Sequence, residues 1–142
     1  MKDRIFIDTD VIIDIAIARK PFFESAASLL SQIEAGSFDG YTSSVIFTNV
    51  YYIHRKLSDH ETAVKFLKKL RLILKVLSVD DLIIQKGLES GFKDFEDSIQ
   101  YFTSTKNKID YIITRNVGDF KNSIIKVHTP QEFLVLKGIK EK

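Results

Sequence analysis

Three aspartates stand where their type and spacing could do chemistry. Ile5, Phe6 and Ile7 run into Asp8, with Asp10 and Asp14 close behind, in IFIDTDVIID at residues 5–14. Asp97 lies in DFEDSIQ at residues 94–100, and Asp119 in TRNVGDF at residues 114–120, just past a second apolar run. A short apolar run reads as a buried strand, and open parallel sheets bind ligands at the carboxyl ends of their strands. Carboxylates gathered at such an edge repel one another. A hard divalent cation offsets that repulsion, and Mg²⁺ takes oxygen ligands while keeping several waters. Such a site activates water and stabilises an attacked phosphate, with one metal or with two at ~3.5–4 Å. The substrate that fits is a phosphodiester.

Each acid also has a local role open to it. Asp8 suits the N-cap of a following helix. Asp94 and Asp97 suit a cap and a first-turn acid serving the helix dipole. Asp119 suits a turn. Capping does not require all three on one sheet edge, so the pocket reading gains when they are taken together.

The elements that must position these residues alternate short apolar strands with amphipathic helices, which predicts a parallel sheet covered on both faces. Strands are expected at 4–8, 40–42, 75–79, 111–114 and 124–128. Helices are expected at 10–18, 22–35, from Ser43 or Ser44 to 57, from the Ser58–Glu61 capping box to 74, from Asp80 or Asp81 to 90, 94–106 and 130–137. Gly36 fits a C-terminal cap. Thr129, Pro130 and Glu132 give a second capping box with proline at N1. Phe47, Tyr51, Tyr52 and Ile53 share one helix and read as core rather than a base-stacking platform. Lys65, Lys68, Lys69 and Arg71 read as a solvated helix face. His54, His60 and His128 show no metal spacing.

The 142 residues suffice for one domain, spanning 1–142, and the 44% hydrophobic content can build a core. A net charge of +2 permits an anionic partner without demanding one. The absence of cysteine excludes disulfides, thiolate metal sites and cysteine nucleophiles. MKDRIFID has no apolar signal region, and no window approaches the ~20 apolar residues of a membrane span. The expectation is a soluble, cytoplasmic protein with no membrane partner.

Four motifs, in order and over nearly the whole chain, resemble the PIN-domain proteins, a group of metal-dependent ribonucleases that includes many bacterial toxins of toxin–antitoxin pairs. They are IFIDTDVIID (5–14), IFTNVYYIHRK (46–56), DFEDSIQYF (94–102) and IITRNVGDF (112–120), followed by HTPQEFL (128–134). The resemblance implies a three-layer α/β/α fold around a parallel sheet of about five strands. It implies that Asp8, Asp97 and Asp119 hold Mg²⁺ or Mn²⁺, directly or through water, and that water then attacks an RNA phosphate in line. It also implies a small antitoxin protein as partner and a homodimer.

The chain departs from the commoner family pattern at two positions. Many PIN nucleases carry a glutamate where this chain has Asn49, and an acid where it has Asn116. Asparagine can offer a carbonyl oxygen or an amide but cannot act as a general base, and fewer charges weaken metal binding. Glu96 is a replacement for the missing charge, although adjacent helical residues point ~100° apart. Asp10 either leans into the pocket or caps the first helix. Thr114 and Arg115 flank the site. Arg115 either contacts a phosphate or pairs with a surface acid.

Two other functions compete with the endoribonuclease. One is a PIN-like RNA-binding or regulatory module with little catalysis, motivated by Asn49 and Asn116. The other is a phosphatase of the haloacid dehalogenase type, in which Asp8 is a nucleophile and Asp10 the acid/base.

Overall fold

The computed structural model describes residues 1–140. Five parallel strands form one sheet: β1 (Arg4–Ile7), β2 (Asp39–Ser43), β3 (Lys75–Leu77), β4 (Tyr111–Ile113) and β5 (Lys126–His128), in the order β3-β2-β1-β4-β5. The helices are α1 (Thr9–Ala16), α2 (Phe23–Glu34), α3 (Ser44–Leu57), α4 (His60–Ile73), α5 (Asp81–Glu89), α6 (Phe95–Lys106) and α7 (Pro130–Leu136). Helices α1, α2, α3, α4 and α7 pack among themselves while α5 pairs with α6. The architecture is the expected three-layer α/β/α sandwich. No helix among the described residues is long and apolar enough to cross a membrane.

Strand β1 is central because its residues tolerate no water on either face. Ile5, Phe6 and Ile7 are at most 2% exposed, as are Ile112 and Ile113 of β4, which pair with Phe6 and Ile7. A strand buried on both faces reads as an unbroken apolar run. The chain leaves β1 on one side to build β2 and β3 and returns on the other to build β4 and β5. The sheet order therefore reverses at β1, and the crevice between the carboxyl ends of β1 and β4 is where such sheets hold ligands.

Local capping sets most helix starts. Asp80 and Asp94 accept from the backbone N–H of Ile83 and Asp97. Thr129 and Glu132 form the reciprocal capping box expected of them. Gly36, at φ 90°, ends α2 in the left-handed region that glycine adopts without strain. The Ser58–Glu61 box does not form. Asp59 caps α4 by accepting from Thr62 N at 2.7 Å, while Ser58 closes α3 by donating its hydroxyl to the His54 carbonyl. Aspartate one residue nearer the helix presents its oxygen to the correct N–H, so it wins the cap.

A second correction concerns α3. Its buried stripe is Ile46, Val50 and His54, not the aromatics. His54 is 4% exposed, with Nδ1 3.3 Å from Ser58 Oγ and its ring edge-on to Phe66. Tyr52 is 59% exposed and Ile53 38% exposed, and only Phe47 packs partly against the core. The lysine and arginine face of α4 is solvated as expected.

Candidate active site

Asp8 leaves β1 in extended conformation and serves two ends at once. Its Oδ1 accepts from Thr9 N at 2.8 Å, capping α1. Its Oδ2 accepts from the Thr114 hydroxyl at 2.9 Å. Thr114 follows β4 directly and is fully buried, and it is locked beside Asp8 because Asp8 N bonds to the Ile113 carbonyl and Thr114 N to the His128 carbonyl. The cap and the pocket wall are one carboxylate, so the two readings of Asp8 do not compete.

Asp10, in the first turn of α1, crosses to the same loop. Its Oδ2 accepts from Arg115 N at 3.2 Å and from Asn116 Nδ2 at 3.0 Å. Its Oδ1 is buried with no hydrogen-bond partner. Asp97 stands at the third position of α6, its backbone N–H held by the Asp94 cap. Asp119 lies in a 3₁₀ turn, Val117–Phe120, whose N–H to the Asn116 carbonyl closes at 3.0 Å.

These elements enclose an open cavity of about 380 Å³ whose lining carries six acids: Asp8, Asp10, Asp94, Glu96, Asp97 and Asp119. Burial, reinforced by the Asp10 charge, pushes the Asp8 carboxyl up to about 6. Burial and the charges of Asp94, Asp8, Asp119 and Glu96 push Asp97 up to about 7. Burial also raises Asp10, against the hydrogen bonds from the Arg115 backbone. The two arginines of the lining, Arg19 and Arg115, offset this charge only in part, because both lean toward Asp14. Arg115 holds the buried Asp14 side-on, with Nε at 2.7 Å and Nη2 at 3.2 Å, and lies over the Phe22 ring. Arg19 Nε is 3.7 Å from the same carboxylate. Arg115 therefore pairs with a buried acid, not a surface one.

The donor set suits a hard cation. It is dominated by carboxylate oxygens, one of them an orphan at Asp10, and burial and neighbouring acids push the carboxyls of Asp8 and Asp97 up. Among the described residues no three acidic or histidine side chains converge as a ready-formed metal cluster. A cation here would be held by Asp8, Asp97 and Asp119 partly through water, as Mg²⁺ accepts.

The structure brings together Asp8, Asp10, Glu96, Asp97, Arg115, Asn116 and Asp119 around the cavity, with Thr114 beneath its floor. Asn49 is half-buried on α3 and does not line it; Ile53, one helical turn on, does. Asp94 and Gln100 also line the cavity, although the motifs alone single out neither as a pocket residue. The signal for Gln100 was its spacing, three residues after Asp97 on one helix face.

Comparisons with known proteins agree with this geometry. Residues 4–118 match the PIN domain family model. The chain is 30% identical over 136 residues to Ribonuclease VapC1 of Aquifex aeolicus, covering 92% of this chain and 93% of that one. Among solved structures, a toxin–antitoxin complex from Klebsiella pneumoniae is similar at TM-score 0.66 and 23% identity, covering 88% of this chain and 96% of that chain. DNA-bound VapBC from Salmonella typhimurium is similar at TM-score 0.64 and 18% identity, covering 92% and 99%. A β1 aspartate meeting α6 and the β4 loop at the switch point, with this breadth of match, places the chain in the PIN-domain family.

Proposed function

We propose that the acidic cavity is the active centre of a Mg²⁺- or Mn²⁺-dependent endoribonuclease, acting as the toxin of a toxin–antitoxin pair. The observation that carries the reading is that Asp8, Asp97 and Asp119, which come from three distant parts of the chain, line one cavity in which acids outnumber cations. When bound, the cation supplies Lewis-acid polarisation of a phosphodiester and acidity to water. Asp8 is rigid because α1 and Thr114 fix both its oxygens. In the metal-free protein burial and the neighbouring acids push the Asp97 carboxyl up to about 7, a cost that a bound cation would relieve. The RNA substrate and the toxin role draw support from the A. aeolicus relative, named a ribonuclease, and from the K. pneumoniae structure, a toxin–antitoxin complex. A small antitoxin partner and a homodimer belong to the same reading. The family match leaves the haloacid dehalogenase alternative without support.

A catalytically weak RNA-binding module is the second reading, favoured by one observation. Helix α3 contributes Ile53 and no acid to the cavity, and the Asn116 amide is spent on Asp10. Purified protein incubated with labelled single-stranded RNA and Mn²⁺ or Mg²⁺ separates the two. Cleavage that is lost in the Asp8→Asn/Asp97→Asn double variant is the expected result. Cleavage persisting in that variant would sink the catalytic assignment, and binding without cleavage by the wild type would favour the module.

A further inference from the structure

Gln100 lines the acidic cavity on the same face of α6 as Asp97, and it is 2% exposed. Burying an amide costs free energy unless its atoms are satisfied, so its orientation carries information. Oε1 accepts from the Ser43 hydroxyl at 3.0 Å. Ser43 Oγ itself accepts from Ile46 N at 3.1 Å, as the N-cap of α3. The cap leaves the hydroxyl proton free for the amide oxygen, and the amide's other end is then Nε2, a pure donor. The reverse orientation would set a carbonyl oxygen against the surrounding carboxylates. The cap of α3 and the acids of the lining together favour Nε2 as the atom of Gln100 that faces the cavity.

A phosphodiester entering this cavity is an anion among acids. Of the lining guanidiniums, Arg115 is committed to Asp14, Arg19 is exposed and 3.7 Å from the same carboxylate, and the Asn116 amide donates to Asp10. Among the described residues Gln100 Nε2 is a cavity-lining amide donor with no protein acceptor. We propose that Gln100 is a substrate-binding residue whose Nε2 donates to a non-bridging oxygen of the scissile phosphate, with Ser43 as the positioning residue that sets its amide. The assignment rests on the ribonuclease reading. It gives the site a phosphate contact that is independent of the cation and adds no charge to repel it.

The test uses Gln100→Met, which keeps the length of the side chain and removes the donor. A fluorescein-labelled single-stranded RNA is titrated in Ca²⁺, Mn²⁺ binding is measured without RNA, and cleavage kinetics are taken in Mn²⁺. The expected result is RNA affinity weakened roughly tenfold or more, the weight of a hydrogen bond to a charged group, with KM raised and Mn²⁺ affinity unchanged. Wild-type RNA affinity in Gln100→Met would overturn the assignment alone. An equal loss of Mn²⁺ affinity would also overturn it, by moving Gln100 to the metal. A wild type that binds Mn²⁺ but no RNA would remove the ribonuclease reading and this assignment with it. Should Gln100→Met fail to fold because the Ser43 hydroxyl loses its acceptor, the Ser43→Gly/Gln100→Met double variant removes the stranded hydroxyl, leaves a residue tolerated at the N-cap of α3, and carries the same prediction.

Discussion

Asp14 and Arg115 show how one buried pair sets a loop. Asp14 is 1% exposed on the core side of α1. The Arg115 side chain closes on it, while the Arg115 backbone N–H reaches Asp10. The same residue therefore ties the β4 loop to α1 twice, and Asp10 is held in the cavity as a consequence. Removing one member of a buried pair strands the other and typically costs ~3–5 kcal/mol. Asp14→Asn should lower stability by about 3 kcal/mol in urea unfolding and reduce RNA cleavage through the displaced loop. Arg19, 41% exposed and 3.7 Å from Asp14, should cost less than about 1 kcal/mol when replaced by alanine. Equal losses from the two substitutions would contradict the assignment of Arg115 as the anchor.

Helix α6 owes its position to α5. Gly87, buried on α5, faces α6 so closely that an added Cβ would meet Ser98 Oγ at 2.6 Å and Phe95 Cε1 at 3.2 Å. The Ser98 hydroxyl already donates to the Phe95 carbonyl, so it cannot retreat freely. Phe95 and Ser98 bracket Asp97, and pushing them away tilts the acid from the cavity. Gly87→Ala should cost about 1–3 kcal/mol by overpacking and lower metal-dependent RNA cleavage, whereas an alanine in an ordinary helix interior would gain stability. Chemical denaturation and cleavage assays on one preparation decide it. A stabilised, fully active variant would show that α6 is not set by this contact.

At the scale of the molecule, the fold stores uncompensated negative charge at one edge of its sheet. In metal-free protein Asp8, ordinarily at 3.8, rises to about 6, and Asp97 rises to about 7. Between the ordinary and raised values the folded chain binds protons that the unfolded chain has released. The contribution of these two groups is therefore full at acid pH and falls as pH climbs from about 4 to about 7. Asp8 alone accounts for at most about 3 kcal/mol of that fall. Thermal melts in EDTA should show a lower Tm at about pH 8 than at about pH 5, and excess Mn²⁺ should recover the loss at the higher pH. Asp8→Asn keeps the α1 cap, since asparagine caps as well as aspartate, and should flatten the EDTA profile. A wild-type Tm that does not fall over this range would remove the account of the cavity as a charge-strained cation site.

The sequence by itself determined the order of elements and most of their ends. Apolar runs and caps act over a few residues, so β1, β4, the Thr129 box and the Asp94 cap are legible without a fold. It also determined the family, because four spaced motifs recur together, and it pointed to Asp8, Asp97 and Asp119 as one edge. It missed where cooperation is long-range or directional. The Asp14–Arg115 pair joins residues 101 positions apart. The amide of Gln100 takes its sense from a serine 57 residues away. Helical periodicity placed one face of α3 inward but not which, and packing against α1 and α4 chose the stripe that contains His54 over the one with Tyr52. Only the tertiary structure decided these points, because each depends on which surface another element presents, and that is settled by the packing of the whole chain.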